Sequence, residues 1–218
     1  MTPPATAAAT AWSADPYALA LRAGRGPLFL RGADGRRLPL DVERWCARPD
    51  PADRTVLGRC VGSVLDIGCG PGRMVTALAR QERPALGIDT APAAVARTRS
   101  AGGTALLRSV FQDLPAEGWW GSVLLMDGNI GIGGDPAALL RRIGQLLTPG
   151  GLLLAEAAPE EVAERFDVQL DDGRGGLGPT FPWARVGPAA LRSESEAAGW
   201  TTAGQWSVHG RTFVALRN

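Results

Sequence analysis

The residues best placed to do chemistry are Asp66, Gly68, Cys69, Gly70 and Gly72, with Asp89 a short distance further on. The first five lie at the end of the apolar run Val64-Leu65-Asp66-Ile67 and in the turn that follows it. A helix-capable segment from Arg73 to Arg80 comes next. Glycines there let the backbone turn tightly and approach a ligand with no side chain in the way. The next apolar run, Pro84 to Ile88, ends in Asp89, which sets a carboxylate at the tip of a neighbouring strand. From that position it can accept hydrogen bonds from a ribose, so the pattern describes a nucleotide site. A dinucleotide turn would read Gly-x-Gly-x-x-Gly around a pyrophosphate at the helix N-terminus. This chain has Gly68-Cys69-Gly70-Pro71-Gly72, with Asp66 two residues before the first glycine. A carboxylate directed into the turn opposes a pyrophosphate and suits a ligand carrying a cation.

From Val64 to Gly72, with Asp89 correctly placed beyond, the sequence resembles the class I S-adenosylmethionine-dependent methyltransferases. Their first motif has the form hydrophobic-hydrophobic-Asp-hydrophobic-Gly-Cys-Gly-x-Gly. The resemblance covers roughly Leu57 to the C-terminus. It implies a Rossmann-like α/β fold with a seven-stranded, mostly parallel sheet, helices on both faces, and an antiparallel last strand inserted beside its predecessor. It further implies that Asp66 to Gly72 line the methionine and ribose part of the cofactor and that Asp89 binds the ribose hydroxyls. After the third strand the family has an adenine slot. Here that loop reads Ser109-Val110-Phe111-Gln112-Asp113. Val110 and Phe111 could pack the ring, with Gln112 or Asp113 as the polar partner. Against this, Phe111 could be core and Asp113 the cap of a turn.

The fourth strand leads into Asp127-Gly128-Asn129-Ile130-Gly131-Ile132-Gly133-Gly134-Asp135. So many glycines do not help an apolar core; they permit close approach. In the family this loop borders both methyl donor and acceptor, which makes Asp127 and Asn129 first choices for contacts to the cofactor ammonium or the acceptor. The plainer alternative is a self-capping turn. The Asn/Asp-Pro-Pro-aromatic motif of nucleic-acid amino methylases is absent, which argues against methylation of an exocyclic base nitrogen. Transfer from a sulfonium needs the acceptor in line behind the carbon, and a hydroxyl acceptor also gains from a base of near-neutral pKa. By residue type the base is His209, the only histidine; by topology Asp127 and Glu156 stand nearer the reaction face. A carboxylate or neutral amine acceptor needs no dedicated base. For the acceptor pocket the choices are Tyr17, Trp45 and Trp183, with Arg185 supplying a charge.

Composition narrows the partners. The chain has 218 residues and a net charge of +1, from 23 basic and 22 acidic side chains, which gives no support to an extended phosphate-backbone footprint and leaves only a local patch for RNA. A small-molecule acceptor is favoured, through O- or N-methylation in specialised metabolism. Methylation of a protein or tRNA is the alternative, and an NAD-binding oxidoreductase or a noncatalytic cofactor-binding protein stand further off. Oligomeric state is not legible. Cys46, Cys60 and Cys69 have no metal-ligand spacing, so no metal site is expected and a reducing, cytoplasmic setting is. No run approaches membrane-spanning length. Met1 to Thr10 reads as a frayed tail without the features of a secretory signal.

The elements that must position these groups follow from the alternation. Strands are expected at 63–67, 85–88, 104–108, 122–126 and 151–155, with helices at 73–80, 92–100 and 136–147. Asp135 before Pro136 is an N-cap with proline at the first helical position. Such alternation specifies a mostly parallel sheet covered on both faces. The chain is read as one domain of three parts. An extension (1–60) holds short helices and a hairpin around Gly32-Ala33-Asp34-Gly35, with Pro39 confining one arm to an edge. A cofactor-binding core (62–156) follows, and then a substrate-side insert with terminal strands (157–218). Within the last, Val162 to Leu170 is a strand or lid, Pro188 to Ala198 a helix, and 201–208 with 212–216 a terminal pair. Seven tryptophans exceed the needs of the core. Trp119 and Trp120, at the far end of the fourth strand, are read as packing.

Overall fold

In the computed structural model, which describes residues 15–218, the alternation beginning at Val64 forms one seven-stranded sheet. Its parallel members are β3 (Val64–Ile67), β4 (Ala85–Asp89), β5 (Ala105–Leu107), β6 (Trp120–Leu125) and β7 (Leu147–Ala157). At the far side, β10 (Thr201–Val208) and β11 (Arg211–Arg217) form an antiparallel pair, and β11 lies antiparallel against β7. The strand order is β10-β11-β7-β6-β3-β4-β5. Strands buried on both faces read as continuous apolar runs, and β3 is buried at every position. The order reverses beside β3, so the crevice beyond the carboxyl ends of β3 and β6 is where a ligand belongs.

The crossover helices are α4 (Arg73–Ala79), α5 (Pro92–Ser100) and α6 (Pro136–Leu146). In α6, Leu139, Leu140, Ile143 and Leu146 recur at helical spacing and are all buried. Asp135 caps its start by accepting from the Ala138 backbone N–H at 3.0 Å. Helix α7 (Pro188–Ala197) precedes β10.

The N-terminal extension and the insert do not form separate pieces. Strands β1 (Phe29–Gly32) and β2 (Arg37–Pro39) form the expected hairpin, with β2 and its proline at the edge. They pair with β8 (Ala163–Asp171) and β9 (Phe181–Val186) in a second, antiparallel sheet of order β2-β1-β8-β9. The segment read as a strand or an irregular lid is a strand; β1, β2 and β9 of its sheet line the crevice, and β8 itself does not. Helices α1 (Asp15–Ala23), α2 (Val42–Cys46) and α3 (Pro51–Leu57) complete the extension. Tyr17, Leu21, Leu28 and Leu30 join Val168, Phe181 and Trp183 in one apolar cluster that ties α1 to the second sheet.

Two readings of aromatic residues need correction or limits. Trp120 is buried at the start of β6, but Trp119, the residue before it, is 79% exposed and does not belong to the packed core. Trp12 and the segment 1–10 lie outside the described residues.

Candidate active site

A cavity of about 440 Å³ opens where β3, β4, β6 and β7 end, bounded by the glycine turn on one side and by the second sheet on the other. Of the residues singled out in the sequence, it is lined by Asp66, Gly68, Cys69, Gly70, Asp89, Val110, Phe111, Asp127, Asn129, Glu156, Tyr17, Trp45, Trp183 and Arg185. Gly72, Asp113 and His209 do not line it.

Gly72 instead caps α4 in the left-handed region, with φ 88°, behind the turn. Gly68 shows why the turn tolerates no side chain. It has φ +67°, and a Cβ there would lie 2.6 Å from Asn129 Nδ2. That amide is occupied: it donates to the Ile67 and Gly68 carbonyls at 2.9 and 3.0 Å, closing the fourth-strand loop onto the turn. Cys69 is buried, its sulfur fills the space left by Gly87, and burial pushes its thiol well above the usual range. It is filler in this geometry.

The two carboxyls of the turn differ. Asp89 accepts from Gly70 N at 2.9 Å through one oxygen and from Ala91 N at 2.8 Å through the other. Burial raises its pKa to about 6, against the pull of those backbone donors. Each oxygen keeps acceptor capacity, so a pair of ribose hydroxyls fits. Asp66 is only 2% exposed, its backbone is paired in the sheet, and burial and neighbouring charges, with no hydrogen bond, set the behaviour of its carboxyl. Burial raises it to about 8, despite the nearby Arg73 charge. A buried carboxyl without a donor is satisfied by an arriving cation. The turn therefore fits a ligand with a ribose and an ammonium group.

The floor holds a buried ionic network that the sequence reading missed apart from Asp127 and Glu156. Arg73, the first residue of α4, contacts Asp53 and Asp127 at 2.5 Å each. Arg211 contacts Asp53 at 2.9 Å, Asp50 at 3.0 Å and Glu156 at 2.7 Å. Arg44 of α2 reaches Asp127 at 3.0 Å. Burial works upward on Glu156, but the paired hydrogen bonds of Arg211 outweigh it and hold its carboxyl below the usual range. Burial pushes Asp127 up, opposed by Arg73. Asp127 also adopts φ 57°, and its N–H donates to Glu156 Oε2 at 2.8 Å. Aspartate is one of the few non-glycine residues that enter that region readily, and here the bond to Glu156 helps to hold it.

His209 sits in the β10–β11 turn with φ 52°, exposed to solvent. The turn is at the site end of the sheet, since Thr212 pairs with Ala157. It is Arg211, two residues later, that enters the floor. Asp113 is exposed in the loop after β5, while Phe111 stands at the cavity edge, 41% exposed. Of the acceptor-side residues, Tyr17 meets Trp45 edge-on at 6.3 Å and Phe181 meets Trp183 edge-on at 6.2 Å. Arg185 is paired with Glu160 and Glu164.

Residues 64–151 match a family model described as a methyltransferase domain. The strand order, with antiparallel β11 between β7 and β10, departs from the all-parallel dinucleotide-binding sheet. The fold is that of the Rossmann-like class I methyltransferases, and residues 64–151 are similar to a methyltransferase domain.

Among solved structures, a SAM-dependent methyltransferase from Bacteroides fragilis in complex with S-adenosyl-L-homocysteine is similar over 96% of this chain and 95% of its own, with 19% identity and TM-score 0.78. A structure concerned with conversion of a disulfide bond into a thioacetal group during echinomycin biosynthesis matches over 91% and 90%, with 19% identity and TM-score 0.62. The Burkholderia thailandensis 1,6-didemethyltoxoflavin-N1-methyltransferase, with bound 1,6-didemethyltoxoflavin and S-adenosylhomocysteine, matches over 77% and 76%, with 18% identity and TM-score 0.57. No curated protein matches the sequence. No helix among the described residues is long and apolar enough to cross a membrane.

Proposed function

We propose that this protein transfers a methyl group from S-adenosylmethionine to a small-molecule acceptor, at oxygen or nitrogen, in specialised metabolism. The observation that carries the reading is the continuity of the cavity. It runs from the glycine turn and Asp89 to aromatic walls supplied by α2 and the second sheet. A volume of about 440 Å³ under a roof suits a small ligand. A protein or tRNA substrate would need an open groove or a basic face, and the near-neutral composition does not favour the second. The uses of the similar proteins point the same way, since one is a toxoflavin-type N-methyltransferase and another belongs to echinomycin biosynthesis.

The cofactor, when bound, supplies an electrophilic methyl on a sulfonium. Asp66 neutralises its ammonium, Asp89 holds the ribose hydroxyls, and Val110 with Phe111 flanks the adenine. Asp127 and Asn129 fix the loop between donor and acceptor. Trp45, Trp183 and Tyr17 exclude water, so that rate comes chiefly from in-line placement. Glu156, bound to Arg211, orients this floor and takes no proton. The three unpaired cysteines accord with a cytoplasmic setting.

Calorimetric titration with S-adenosylmethionine, S-adenosylhomocysteine and NADH tests the reading. Binding of the first two, lost in Asp89→Ala, is the expected result. Preference for NADH, or no binding of the adenosyl ligands, refutes it.

A further inference from the structure

Thr98 lies fully buried in α5, and its hydroxyl bonds outside its own helix. A serine or threonine inside a helix can give its proton to the carbonyl four residues earlier. Thr76 and Ser100 do so, to the Gly72 and Ala96 carbonyls. Thr98 donates instead to the Gly70 carbonyl, at 2.9 Å. Its methyl group fixes that aim. A Cβ at Gly72 would lie 2.6 Å from Thr98 Cγ2 and 2.6 Å from its Oγ1, and one at Gly103 would lie 2.9 Å from the same methyl carbon. Gly72, which does not line the cavity, therefore makes room for Thr98 rather than for a ligand.

Gly70 is thereby held at both of its backbone polar groups. Its N–H donates to Asp89 Oδ2 at 2.9 Å, and its carbonyl accepts from Thr98. The Cys69 thiol is a second donor to that carbonyl, at 3.7 Å, and a weak one. Gly70 and Asp89 line the cavity, and Thr98 does not. A hydroxyl behind the turn is thus one residue away from the carboxyl that faces the ligand. Without it a buried carbonyl loses its main partner, which costs enough to shift a glycine that no side chain anchors. The Gly70 N–H moves with the carbonyl, and the Asp89 oxygen it holds moves too.

Resting on the methyltransferase reading and its assignment of the ribose hydroxyls to Asp89, we propose that Thr98 is a positioning residue for the cofactor, whose hydroxyl, acting through Gly70, sets the Asp89 oxygens for a ribose. The two branches of the side chain divide the work. The methyl packs against Gly72 and Gly103, and the hydroxyl aims Asp89. Thr98→Val keeps the branched shape and removes the donor, whereas Thr98→Ser keeps the donor and removes the methyl.

Calorimetry on the full-length protein reads the affinities of S-adenosylhomocysteine and of its 2′-deoxy analogue, and their ratio measures the worth of the ribose contact. In the native protein the ratio should be about ten- to a hundredfold, as for a hydroxyl bonded to a carboxylate. Thr98→Val should lower that ratio by about two- to tenfold, while Thr98→Ser keeps the native ratio even where its Tm falls. Backbone ¹⁵N–¹H spectra of the ligand-free proteins give a second readout. The Gly70 amide signal, held downfield by its carboxyl partner, should move upfield in Thr98→Val and stay in place in Thr98→Ser. Should the valine variant not fold, Thr98→Ala compared with Thr98→Ser isolates the same hydroxyl. A parallel loss of affinity for both ligands in Thr98→Val, leaving the ratio unchanged, overturns the proposal and assigns Thr98 to packing alone. A serine variant whose ratio falls as far as that of the valine variant overturns it as well, since the methyl would then be the working part. Equal affinity of the two ligands in the native protein takes the ribose away from Asp89 and has the same consequence. An unmoved Gly70 signal in Thr98→Val, with S-adenosylhomocysteine still bound, defeats this proposal alone. Failure of S-adenosylhomocysteine to bind the native protein defeats the methyltransferase reading, and the ribose role with it.

Discussion

Asp66→Asn removes a single negative charge from the turn and leaves its shape almost unchanged, which isolates the electrostatic role of that carboxyl. In the ligand-free protein Asp66 holds its proton up to about pH 8, because burial raises it from an ordinary value of 3.8. The unfolded chain gives up that proton near pH 4. Between those values the folded state binds one more proton than the unfolded state, so stability falls as pH rises, at about 1.4 kcal/mol per unit. Across the whole window the wild-type protein loses at most about 6 kcal/mol through this group. The asparagine variant has no such group and should be the more stable protein at pH 8, with the difference vanishing near pH 4. Cofactor binding reverses the sign. An ammonium group beside Asp66 favours the carboxylate, so at pH 7 about 0.9 proton should be released on binding S-adenosylhomocysteine. Calorimetry at pH 7 in phosphate and in Tris reads that proton as a buffer-dependent difference in apparent enthalpy. Asp66→Asn should abolish the difference and weaken binding by about ten- to a hundredfold, the worth of a charge-assisted contact. An enthalpy independent of buffer, together with unchanged affinity in the variant, would refute the assignment of Asp66 to a cation.

Three further outcomes are open to measurement. Asp89 is raised to about 6, so affinity for S-adenosylhomocysteine should hold above that pH and fall as the solution is acidified through it; Asp89→Asn should flatten that limb in a pH series of titrations. Arg73→Met leaves Asp53 and Asp127 buried without their cation and should destabilise the fold by about 3 to 5 kcal/mol, seen as a fall in Tm of about 6 to 20 °C. A fall of under a degree would show the network to be dispensable. His209→Asn keeps a residue that accepts a left-handed backbone, and should change folding stability and S-adenosylhomocysteine affinity by no more than about 0.5 kcal/mol; once an acceptor is in hand, the methyl-transfer rate should also be unchanged. A large drop in rate with intact binding would restore the histidine as a base.

Much of this molecule follows from short stretches of sequence read in isolation. The glycine turn, the carboxyl ending the next strand, the N-cap at Asp135 and the five parallel strands are local patterns, in which apolar periodicity and turn chemistry act over a few residues. The terminal pair and α7 were legible for the same reason, since a hairpin and a proline-initiated helix carry their signals within themselves. Only residue type marks Tyr17, Trp45 and Trp183 for the acceptor side in the sequence. Their common presence at one cavity depends on a sheet whose strands come from both ends of the chain.

The sequence by itself determined the parallel α/β core and the cofactor turn, because those follow from contacts between neighbours in the chain. Only the tertiary structure decided which charges meet. Arg37 bonds to Asp171 across 134 positions and Arg211 to Asp53 across 158, and no local pattern marks either pair. It was also the tertiary structure that made Glu156 a partner of Arg211 and left His209 outside the cavity. The β10–β11 pairing ends at Val208 and Arg211, so the arginine is held in the strand and enters the floor, while the histidine two residues before it falls in the turn. Burial, which turns an ordinary aspartate into one that keeps its proton to about pH 8, is likewise a property of the folded chain alone.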